Sequence, residues 1–246
     1  MNSISPNLNL MIKACEKASK VLIRDFGEVE KLQVSVKGPM DFVTNSDFKV
    51  EKIIINELLK SKKKYLLISE ESGKINNQDK SGCWIIDPID GTTNFLNGIP
   101  HFAISIALKI KNEIISGVIY DPIKDEMFYA EKNNGAYLNN KRIRVSKKNN
   151  IENCLFATGG KKKIKSNLNT RKFGSAALDL AYVSAGRFDG FFQKDLKLWD
   201  IAAGLVLIKE SGGKVNDINL EINDNIKIYA SNNSIHNKML NNIDNF

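Results

Sequence analysis

Acidic residues recur just after short apolar segments of this chain. Glu70-Glu71 follows the apolar run 65–69, and the segment 87–93, which reads Asp-Pro-Ile-Asp-Gly-Thr-Thr, follows the run 83–86. Further along, Asp200 comes directly after Trp199, where a helical pattern begins. Because strands that stop at one rim of a sheet bring the residues after them together, these acids can form one oxygen-rich site. Such a site suits Mg²⁺, which prefers near-octahedral oxygen coordination.

The segment 87–93 combines metal binding with anion binding. The two residues between Asp87 and Asp90 can turn the chain so that both acids face one point, which leaves the carbonyl oxygen of Ile89 available to a metal. Gly91 permits close approach of the backbone, and the residues after it can open a helix whose N–H groups bind an anion. Acidic ligands beside such a helix start indicate phosphate chemistry.

The hydrophobic pattern predicts the elements that carry these acids. Apolar residues at helical spacing predict a helix from Ser5-Pro6 to Phe26 and a second helix over about 47–60. Short apolar runs predict strands, two of them flanking a hairpin turn at Lys111-Asn112. Extended segments are predicted over 33–37, 65–69, 83–86, 102–110, 113–120, 126–131, 154–158, 188–193 and 227–231, and further helices over 175–185, over 201–211 and from 232 onward. Hairpins mixed with helices indicate an α+β fold with mixed, mainly antiparallel sheets.

Length and composition limit the class of protein. The chain has 246 residues, of which 42% are hydrophobic and 26% charged, as in ordinary globular proteins. This length predicts a single domain over 1–246 with two closely fused halves, about 1–140 and 141–246. No apolar run approaches the roughly 18–20 residues of a membrane span, and the first residues lack a signal-peptide pattern, so a cytoplasmic location is expected. Three cysteines without a CxxC pair exclude a disulfide scaffold and a zinc ribbon, and two histidines disfavour a histidine-built zinc site.

The net charge of +8 is concentrated in one segment. Residues 141–172 hold eleven basic residues and one acidic residue, Glu152, whereas the rest of the chain holds 25 basic and 27 acidic residues. This segment, the Lys141–Lys172 patch, can attract phosphates or nucleic acid. Only Phe156 and Phe173 could supply aromatic stacking there, and no RNA-binding motif is present. A solvated lysine-rich surface is therefore the favoured interpretation of the patch.

Five segments occur together in the order typical of one enzyme family. They are 41–47 (Asp-Phe-Val-Thr-Asn-Ser-Asp), 69–72 (Ser-Glu-Glu-Ser), 84–98, 174–189 and 199–213. With these segments the chain resembles the inositol monophosphatase family of Mg²⁺-dependent, lithium-sensitive phosphatases, and its bacterial SuhB-type members in particular. The resemblance covers most of the chain. It implies the layered α/β/α/β/α sandwich of the sugar phosphatases and the activity of a phosphoric monoester hydrolase.

The resemblance also implies roles for individual residues. Two or three Mg²⁺ ions would be held by Glu70, Asp87, the Ile89 carbonyl, Asp90 and Asp200. Glu70 and Thr92 would orient and deprotonate a metal-activated water that attacks the phosphorus in line, with Asp47 supporting Thr92. Substrate binding is implied for Asp90, Gly91, Thr92, Gly174, Ser175, Ala176, Gln193 and Asp200, with Lys37, Glu71 and Arg171 as supporting candidates.

Two departures from the family pattern concern the substrate. Gln193 stands where the family usually has a glutamate that bonds substrate hydroxyls, although a neutral amide can still donate and accept hydrogen bonds. The segment between Thr158 and Gly174 is shorter than usual and reads Gly159-Gly160-Lys161 where an aromatic–proline turn is usual. In the family this region borders the substrate mouth and contributes to dimer contacts, so a homodimer is left open. Inositol 1-phosphate is the leading substrate, and histidinol phosphate, a sugar bisphosphate and a 3′-phosphonucleotide are alternatives.

Other classes of function fit the sequence less well. Asp90-Gly91-Thr92 matches the end of the DxDGT motif of haloacid-dehalogenase phosphatases, but two residues separate Asp87 from Asp90, which would misplace the nucleophile. Cysteine phosphatases need an arginine six positions after the cysteine, and no cysteine here has one. SuhB-type proteins are also linked to transcription complexes on ribosomal RNA operons. RNA or transcription-complex contact through the Lys141–Lys172 patch, with little catalysis, is therefore the non-enzymatic alternative.

Overall fold

The computed structural model describes residues 4–28, 34–38, 41–61, 63–160, 165–222 and 224–244. The helices of this part of the chain are α1 (Pro6–Phe26), α2 (Asn45–Leu58), α3 (Thr92–Leu96), α4 (Ala176–Ser184), α5 (Leu198–Glu210) and α6 (His236–Asn241). Its strands are β1 (Val34–Gly38), β2 (Asp41–Thr44), β3 (Tyr65–Ser69), β4 (Gly73–Ile75), β5 (Asp79–Asp90), β6 (Ala103–Ile110), β7 (Glu113–Asp121), β8 (Glu126–Glu131), β9 (Gly135–Leu138), β10 (Lys141–Arg142), β11 (Phe156–Thr158), β12 (Lys165–Ser166), β13 (Thr170–Arg171), β14 (Gly190–Leu196), β15 (Gly213–Val215), β16 (Ile226–Asn232) and β17 (Ile243–Asp244).

Two sheets carry most of these strands. The larger sheet has the order β10-β9-β8-β7-β6-β5-β3-β4, and the smaller one has the order β13-β11-β14-β16-β15. Most neighbours are antiparallel, but β3 pairs with β5 in parallel, and β11 pairs in parallel with both β13 and β14. The predicted α+β class with mixed, mainly antiparallel sheets is therefore confirmed.

Helices and sheets alternate in five layers. Helices α1 and α2 cover one face of the larger sheet, α4 and α5 lie between the two sheets, and α6 packs against β16 on the far side. The buried apolar side chains form three clusters: one lies under α1 and α2, one surrounds α4 and α5 on both sides, and one lies under α6. The predicted α/β/α/β/α sandwich is thus confirmed.

The two N-terminal helices form where the periodicity predicts them. Ser5 caps α1 by accepting a hydrogen bond from the Leu8 N–H at 3.2 Å, Pro6 occupies the first helical position, and Gly27 ends the helix. The α1 face that contains Met11 and Leu22 is fully buried against α2 and the sheet. No helix among the described residues is long and apolar enough to cross a membrane.

Strand β5 is longer than the predicted run 83–86, because it continues through the Asp-Pro-Ile-Asp sequence. Its register against β6 shifts there: Asp87 pairs with Ser105, and Asp90 pairs with Ala103. Three residue steps on β5 therefore oppose two on β6, which is a β-bulge of one extra residue. In a regular strand, residues three apart point to opposite faces. The bulge instead places Asp87 and Asp90 on the same face, the one that faces α4 and α5.

Helix α5 lies unusually close to the larger sheet at Gly117. A Cβ atom added to Gly117 would lie 2.7 Å from the carbonyl oxygen and 2.8 Å from the Cα atom of Ala203 on α5. Real Cβ atoms do not approach backbone so closely, and backbone moves less easily than a side chain. Glycine at this position of β7 is therefore required for the observed spacing between helix and sheet.

We expect Gly117→Ala to lower the free energy of unfolding by about 1–3 kcal/mol, because the added methyl group forces α5 away from the sheet. Urea denaturation followed by circular dichroism measures this loss. Gly27→Ala is the matched control, since its nearest heavy atom, the Arg24 carbonyl oxygen, would lie 3.4 Å away. If both variants are as stable as the wild type, the close approach of β7 and α5 is not a packing constraint.

Candidate active site

Three aspartates from distant parts of the sequence meet at the C-terminal end of β5 in the larger sheet. One carboxylate oxygen each of Asp87, Asp90 and Asp200 lies within 4.8 Å of the others. The first two come from the bulged end of β5, and the third is in the first turn of α5. Asp87 and Asp90 are buried, with 2% and 8% of their surface exposed. Three of the sequence-predicted acids are thus brought together in one cluster.

Burial and mutual repulsion disfavour the charged forms of these acids. Burial, followed by the charges of Glu70, Asp90 and Asp200, holds the pKa of Asp87 well above its usual range. Burial also raises the pKa of Asp90 to about 6, although hydrogen bonds from Ser175 and from the start of α4 act in the opposite direction. The pKa of Asp200 rises to about 7, again through burial first and the charge of Asp90 second.

Glu70 belongs to the same electrostatic site. It follows β3, and its backbone N–H donates to the Ile86 carbonyl oxygen at 3.2 Å, which holds the end of β3 beside β5. Its carboxyl group hydrogen-bonds that of Asp87, and this contact is a further cause of the raised Asp87 pKa. Glu71, the next residue, uses its N–H to donate to Glu51 Oε2 on α2 at 3.1 Å.

Asp90 also joins β5 to the start of α4. Its Oδ2 atom accepts hydrogen bonds from the Ser175 hydroxyl and from the Ala177 N–H, the latter at 2.9 Å. Ser175 is the N-cap of α4 and accepts from the Leu178 N–H at 3.3 Å. Ala176 is the first residue of α4 and is buried. The Ser175 hydroxyl is therefore committed to positioning Asp90 and α4.

Asp200 is held by the backbone of its own helix start. Its Oδ2 atom accepts from the Lys197 N–H at 2.8 Å, across the first turn of α5. One residue earlier, the Trp199 carbonyl oxygen accepts from the Ser105 hydroxyl at 3.3 Å. Because Ser105 is the β6 partner of Asp87, this hydrogen bond ties the two acidic segments to each other.

Glycines allow the backbones of two segments to approach each other beside the cluster. Gly91 has φ +97°, and a Cβ atom there would lie 3.1 Å from the His101 carbonyl oxygen and 3.3 Å from that of Gly174. Gly174 has φ +84°, and its Cβ would lie 3.1 Å from Nδ2 of Asn94. Both positions combine a left-handed backbone with close contacts, which only glycine tolerates without strain. Asn94 donates from Nδ2 to the carbonyl oxygens of His101 and Phe173, at 2.8 and 2.7 Å, and so fixes the approach.

Thr92 and Asp47 lie on α3 and α2, which both contact β2. Thr92 begins α3, and its hydroxyl donates to the Ile89 carbonyl oxygen at 2.9 Å. Asp47 is fully buried in the first turn of α2, which packs on β5. A carbonyl oxygen has two lone pairs, so Ile89 can accept from Thr92 and still offer an oxygen to a metal.

The remaining candidates lie on β14, β13 and β1. Gln193 is half-buried on β14, where it packs over Gly159. Arg171 is exposed on β13, and its guanidinium donates to Asn169 Oδ1 and the Thr170 carbonyl oxygen, at 2.9 and 3.0 Å, so it belongs to the surface. Lys37 lies on β1, where the structure describes the backbone.

Two positioning residues and one buried acid are assigned no role by the sequence motifs noted above. Asn94 and Ser105 hold the acidic segments through contacts with residues 79 and 94 positions away, so no local pattern reveals them. Asp179 lies on α4 and is 1% exposed. Burial, followed by the charge of Asp90, holds its pKa well above the usual range. Its Oδ1 atom has no hydrogen-bond partner within the described part of the chain. The one available signal for Asp179 is an acid at a core-facing helical position.

The geometry fits a hard divalent cation. All donors in the cluster are carboxylate oxygens, and the repulsion that raises their pKa values would be relieved by a positive ion placed among them. A cluster of acids able to hold a metal, at the end of β5 and the start of α5 in a five-layer sandwich, is typical of a metal-dependent phosphatase.

Comparison with known proteins identifies the family. The model of the inositol monophosphatase family matches residues 4–245. The inositol-1-monophosphatase of Rhizobium meliloti is 48% identical over 225 residues, covering 85% of each chain, and the Nus factor SuhB of Escherichia coli K12 is 42% identical over 227 residues, covering 86% of this chain and 85% of its own. The crystal structure of the extragenic suppressor protein suhB from Bartonella henselae superposes with a TM-score of 0.86 and 44% identity, covering 96% of this chain and 97% of its own. The chain therefore belongs to the inositol monophosphatase family of metal-dependent phosphatases.

The acid cluster should make the metal-free protein lose stability as the pH rises. Carboxyl groups with raised pKa values bind more protons in the folded than in the unfolded state, so their repulsion develops between pH 4 and pH 8, through the pKa values of about 6 for Asp90 and about 7 for Asp200. Asp200→Asn should raise the melting temperature at pH 8 by a few degrees, at about 2–4 °C per kcal/mol, and have little effect at pH 4.

Thermal unfolding with a chelator, at pH 4 and pH 8, measures this difference. Asparagine can still accept the Lys197 N–H, so the helix cap is retained. Asp217→Asn, at an exposed position of the surface loop before β16, is the control for removal of one negative charge. An Asp200→Asn variant that is less stable than the wild type at pH 8 would contradict the proposed repulsion.

Proposed function

We propose that this phosphatase is an Mg²⁺-dependent phosphomonoesterase that hydrolyses inositol 1-phosphate to inositol and phosphate. The observation that carries the proposal is the cluster of Asp87, Asp90 and Asp200 beside the start of α3. Among the relatives, the Rhizobium meliloti protein is named inositol-1-monophosphatase, which favours this substrate. Histidinol phosphate, a sugar bisphosphate and a 3′-phosphonucleotide are the alternative substrates of the same site.

The cluster and its neighbours would hold the metal. The proposed ligands for two or three ions are Glu70, Asp87, the Ile89 carbonyl, Asp90 and Asp200. Bound Mg²⁺ supplies a Lewis acid that lowers the pKa of water and offsets charge on phosphoryl and leaving-group oxygens. The residues themselves supply a rigid oxygen cage, because β5 and the starts of α4 and α5 fix the three aspartates.

The remaining roles belong to side chains and backbone around the cluster. The N–H groups of Gly91 and Thr92 would bind the phosphate oxygens at the start of α3. Glu70, next to Asp87, would accept the proton of the attacking water, and Thr92 would orient that water, with Asp47 as support. The water would attack the phosphorus in line with the bond to the leaving alcohol, so that no covalent phosphoenzyme forms.

The substrate side would be formed by residues opposite the acids. Gly174, Ser175 and Ala176 come from the segment that approaches Gly91 and would border the leaving alcohol. Because the Ser175 hydroxyl is engaged by Asp90 and the Leu178 N–H, its contribution would be to hold Asp90 rather than to bond the alcohol directly. Gln193 would offer its amide to hydroxyl groups of the substrate.

We expect release of phosphate from inositol 1-phosphate that requires Mg²⁺ and is inhibited by lithium. The assay compares this substrate with histidinol phosphate, fructose 1,6-bisphosphate and a 3′-phosphonucleotide, each with Mg²⁺ or with a chelator. Asp87→Asn should lower kcat more than 100-fold, because removal of one electrostatic group of a site typically lowers kcat by a factor of about 10²–10³. Thermal unfolding of this variant should show an intact fold. Near-normal activity of Asp87→Asn would overturn the site assignment, and no release from any substrate by the folded wild type would overturn the proposed function.

A second candidate function is RNA binding through the Lys141–Lys172 patch. In the part that the structure describes, Lys141, Arg142, Arg144 and Lys147 are exposed, whereas Lys148 is paired with the buried Asp189 at 2.9 Å. Relatives named Nus factor favour a role of this kind. The basic surface would bind phosphates without base stacking and therefore without strong sequence preference.

If the patch binds RNA, affinity should fall steeply with salt, and replacing its exposed basic residues by alanine should weaken binding. The salt slope should also decrease by about one for each RNA phosphate that the variant no longer binds. Fluorescence anisotropy with a labelled single-stranded RNA at 50 and 200 mM salt measures both. Binding that is unchanged in a Lys141→Ala/Arg142→Ala/Arg144→Ala/Lys147→Ala variant would remove this surface from consideration.

A further inference from the structure

The Gly-Gly sequence that ends β11 lies against the side chain of Gln193. Strands β11 and β14 are parallel neighbours, with Thr158 paired to Phe192, so Gly159 follows the last pair on one strand and Gln193 follows it on the other. A Cβ atom added to Gly159 would lie 2.3 Å from Oε1, 3.0 Å from Cδ and 3.4 Å from Nε2 of Gln193. The amide group of Gln193 thus occupies the volume that any other residue at position 159 would need for its side chain.

Gln193 stands where β14 leaves its regular path and leads into the acid site. The register between β14 and β16 is regular up to the pair of Gln193 with Ile228 and then shifts before Leu196. In the shifted part, Asp195 has φ +61°, and α5 with Asp200 begins two residues after Leu196. Gln193 therefore forms the last pair of β14 with β16 before the register shift, ahead of the helix that carries Asp200.

The Gln193 amide lies against Gly159, which has no side chain that would displace it. Glutamine has three rotatable side-chain bonds, and ordering them on ligand binding costs conformational entropy. A glycine surface that accommodates the amide in one orientation removes part of this cost before the ligand arrives. The adjacent Gly160 also contacts the side chain, with its would-be Cβ at 3.8 Å from Cγ and Nε2 of Gln193.

We propose that Gly159 is a positioning residue that orients the Gln193 amide toward the hydroxyl groups of the leaving alcohol, and that it thereby contributes to selection of a polyol phosphate. The inference rests on the proposed function, because it assigns a specificity role within the same site. An amide that both donates and accepts suits neighbouring hydroxyl groups, which do the same. A simple aryl phosphate has no hydroxyl groups to offer and gains nothing from this orientation.

Gly159→Ala tests the proposal without a large risk to the fold. The φ angle of Gly159 lies outside the left-handed region, so alanine is compatible with the backbone, and the clashing atoms are the far end of a flexible side chain that can rotate away. Gly160 is unsuitable for the same test, because its φ of +84° would add backbone strain to any effect on Gln193. Gly27→Ala is the control for the substitution itself.

The kinetic experiment is a double-mutant cycle on the full chain with Mg²⁺. Wild type, Gly159→Ala, Gln193→Ala and the double variant are assayed with inositol 1-phosphate and with 4-nitrophenyl phosphate. We expect each single variant to lose about tenfold in kcat/KM for inositol 1-phosphate, mainly through KM, as for loss of one hydrogen bond. With 4-nitrophenyl phosphate, Gly159→Ala should agree with the wild type within about twofold. The double variant should be no worse than Gln193→Ala, because Gly159 acts through that side chain.

Two results would overturn the inference. If the losses in kcat/KM of the two single variants multiply in the double variant, Gly159 acts independently of Gln193. If Gly159→Ala loses the same factor in kcat/KM on both esters, the effect is a general structural one. A crystal structure of Gly159→Ala supplies a readout independent of turnover: the Gln193 amide must have left its wild-type position, and an unmoved amide also overturns the inference. If the wild type hydrolyses 4-nitrophenyl phosphate but none of the substrates with a hydroxylated leaving group, the site is a phosphatase site and the inference of polyol specificity fails. If the wild type hydrolyses neither kind of ester, the proposed function itself fails.

Discussion

The structure depends on holding several carboxylates together in a buried place, where each disfavours the charge of the others. The one-residue bulge of β5 is the device that makes this possible, because it turns Asp87 and Asp90 to the same face of the sheet. Burial and repulsion then raise the pKa values of Asp87, Asp90 and Asp200. A site of this kind destabilises the metal-free fold, and the surrounding structure must compensate for it.

The compensation comes from hydrogen bonds that connect the acids to different layers. Asp90 accepts from the start of α4, and Asp200 accepts from the start of α5. Ser105 on β6, the strand partner of Asp87, donates to the Trp199 carbonyl oxygen just before Asp200. Helices α4 and α5 are in turn fixed between two sheets, with α5 in backbone contact at Gly117. The site is therefore as rigid as the interlayer core, which suits a cage for a hard cation that tolerates little distortion of its ligands.

The packing of the segments beside the acids depends on glycine instead. Gly91 and Gly174 let two segments approach each other, and Gly159 leaves the volume in which the Gln193 amide lies. The three glycines permit contacts that a side chain would block. Without them, the amide of Asn94 could not lie against Gly174, nor the amide of Gln193 against Gly159. Charge compensation thus comes from the layered core, whereas glycines bring together the segments beside the acids.

Much of the fold and most of the acid set could be predicted from the sequence, because both depend on local patterns. Helical periodicity and a Ser-Pro start were sufficient to predict α1, and apolar runs were sufficient to predict β3 and β8. Acids that follow apolar runs predicted the cluster. The resemblance to the inositol monophosphatase family gave the order of the layers.

Tertiary packing supplied what no local pattern contains. The bulge replaced the expected turn after residue 86, because pairing with β6 extends β5 through Asp90. Asn94 and Ser105 acquired their roles, and Ser175 was committed to Asp90, through hydrogen bonds between residues 79 to 94 positions apart in sequence. Local patterns thus establish which groups are available, and packing establishes which of them meet, because long-range pairing is fixed only when the layers close on a common core.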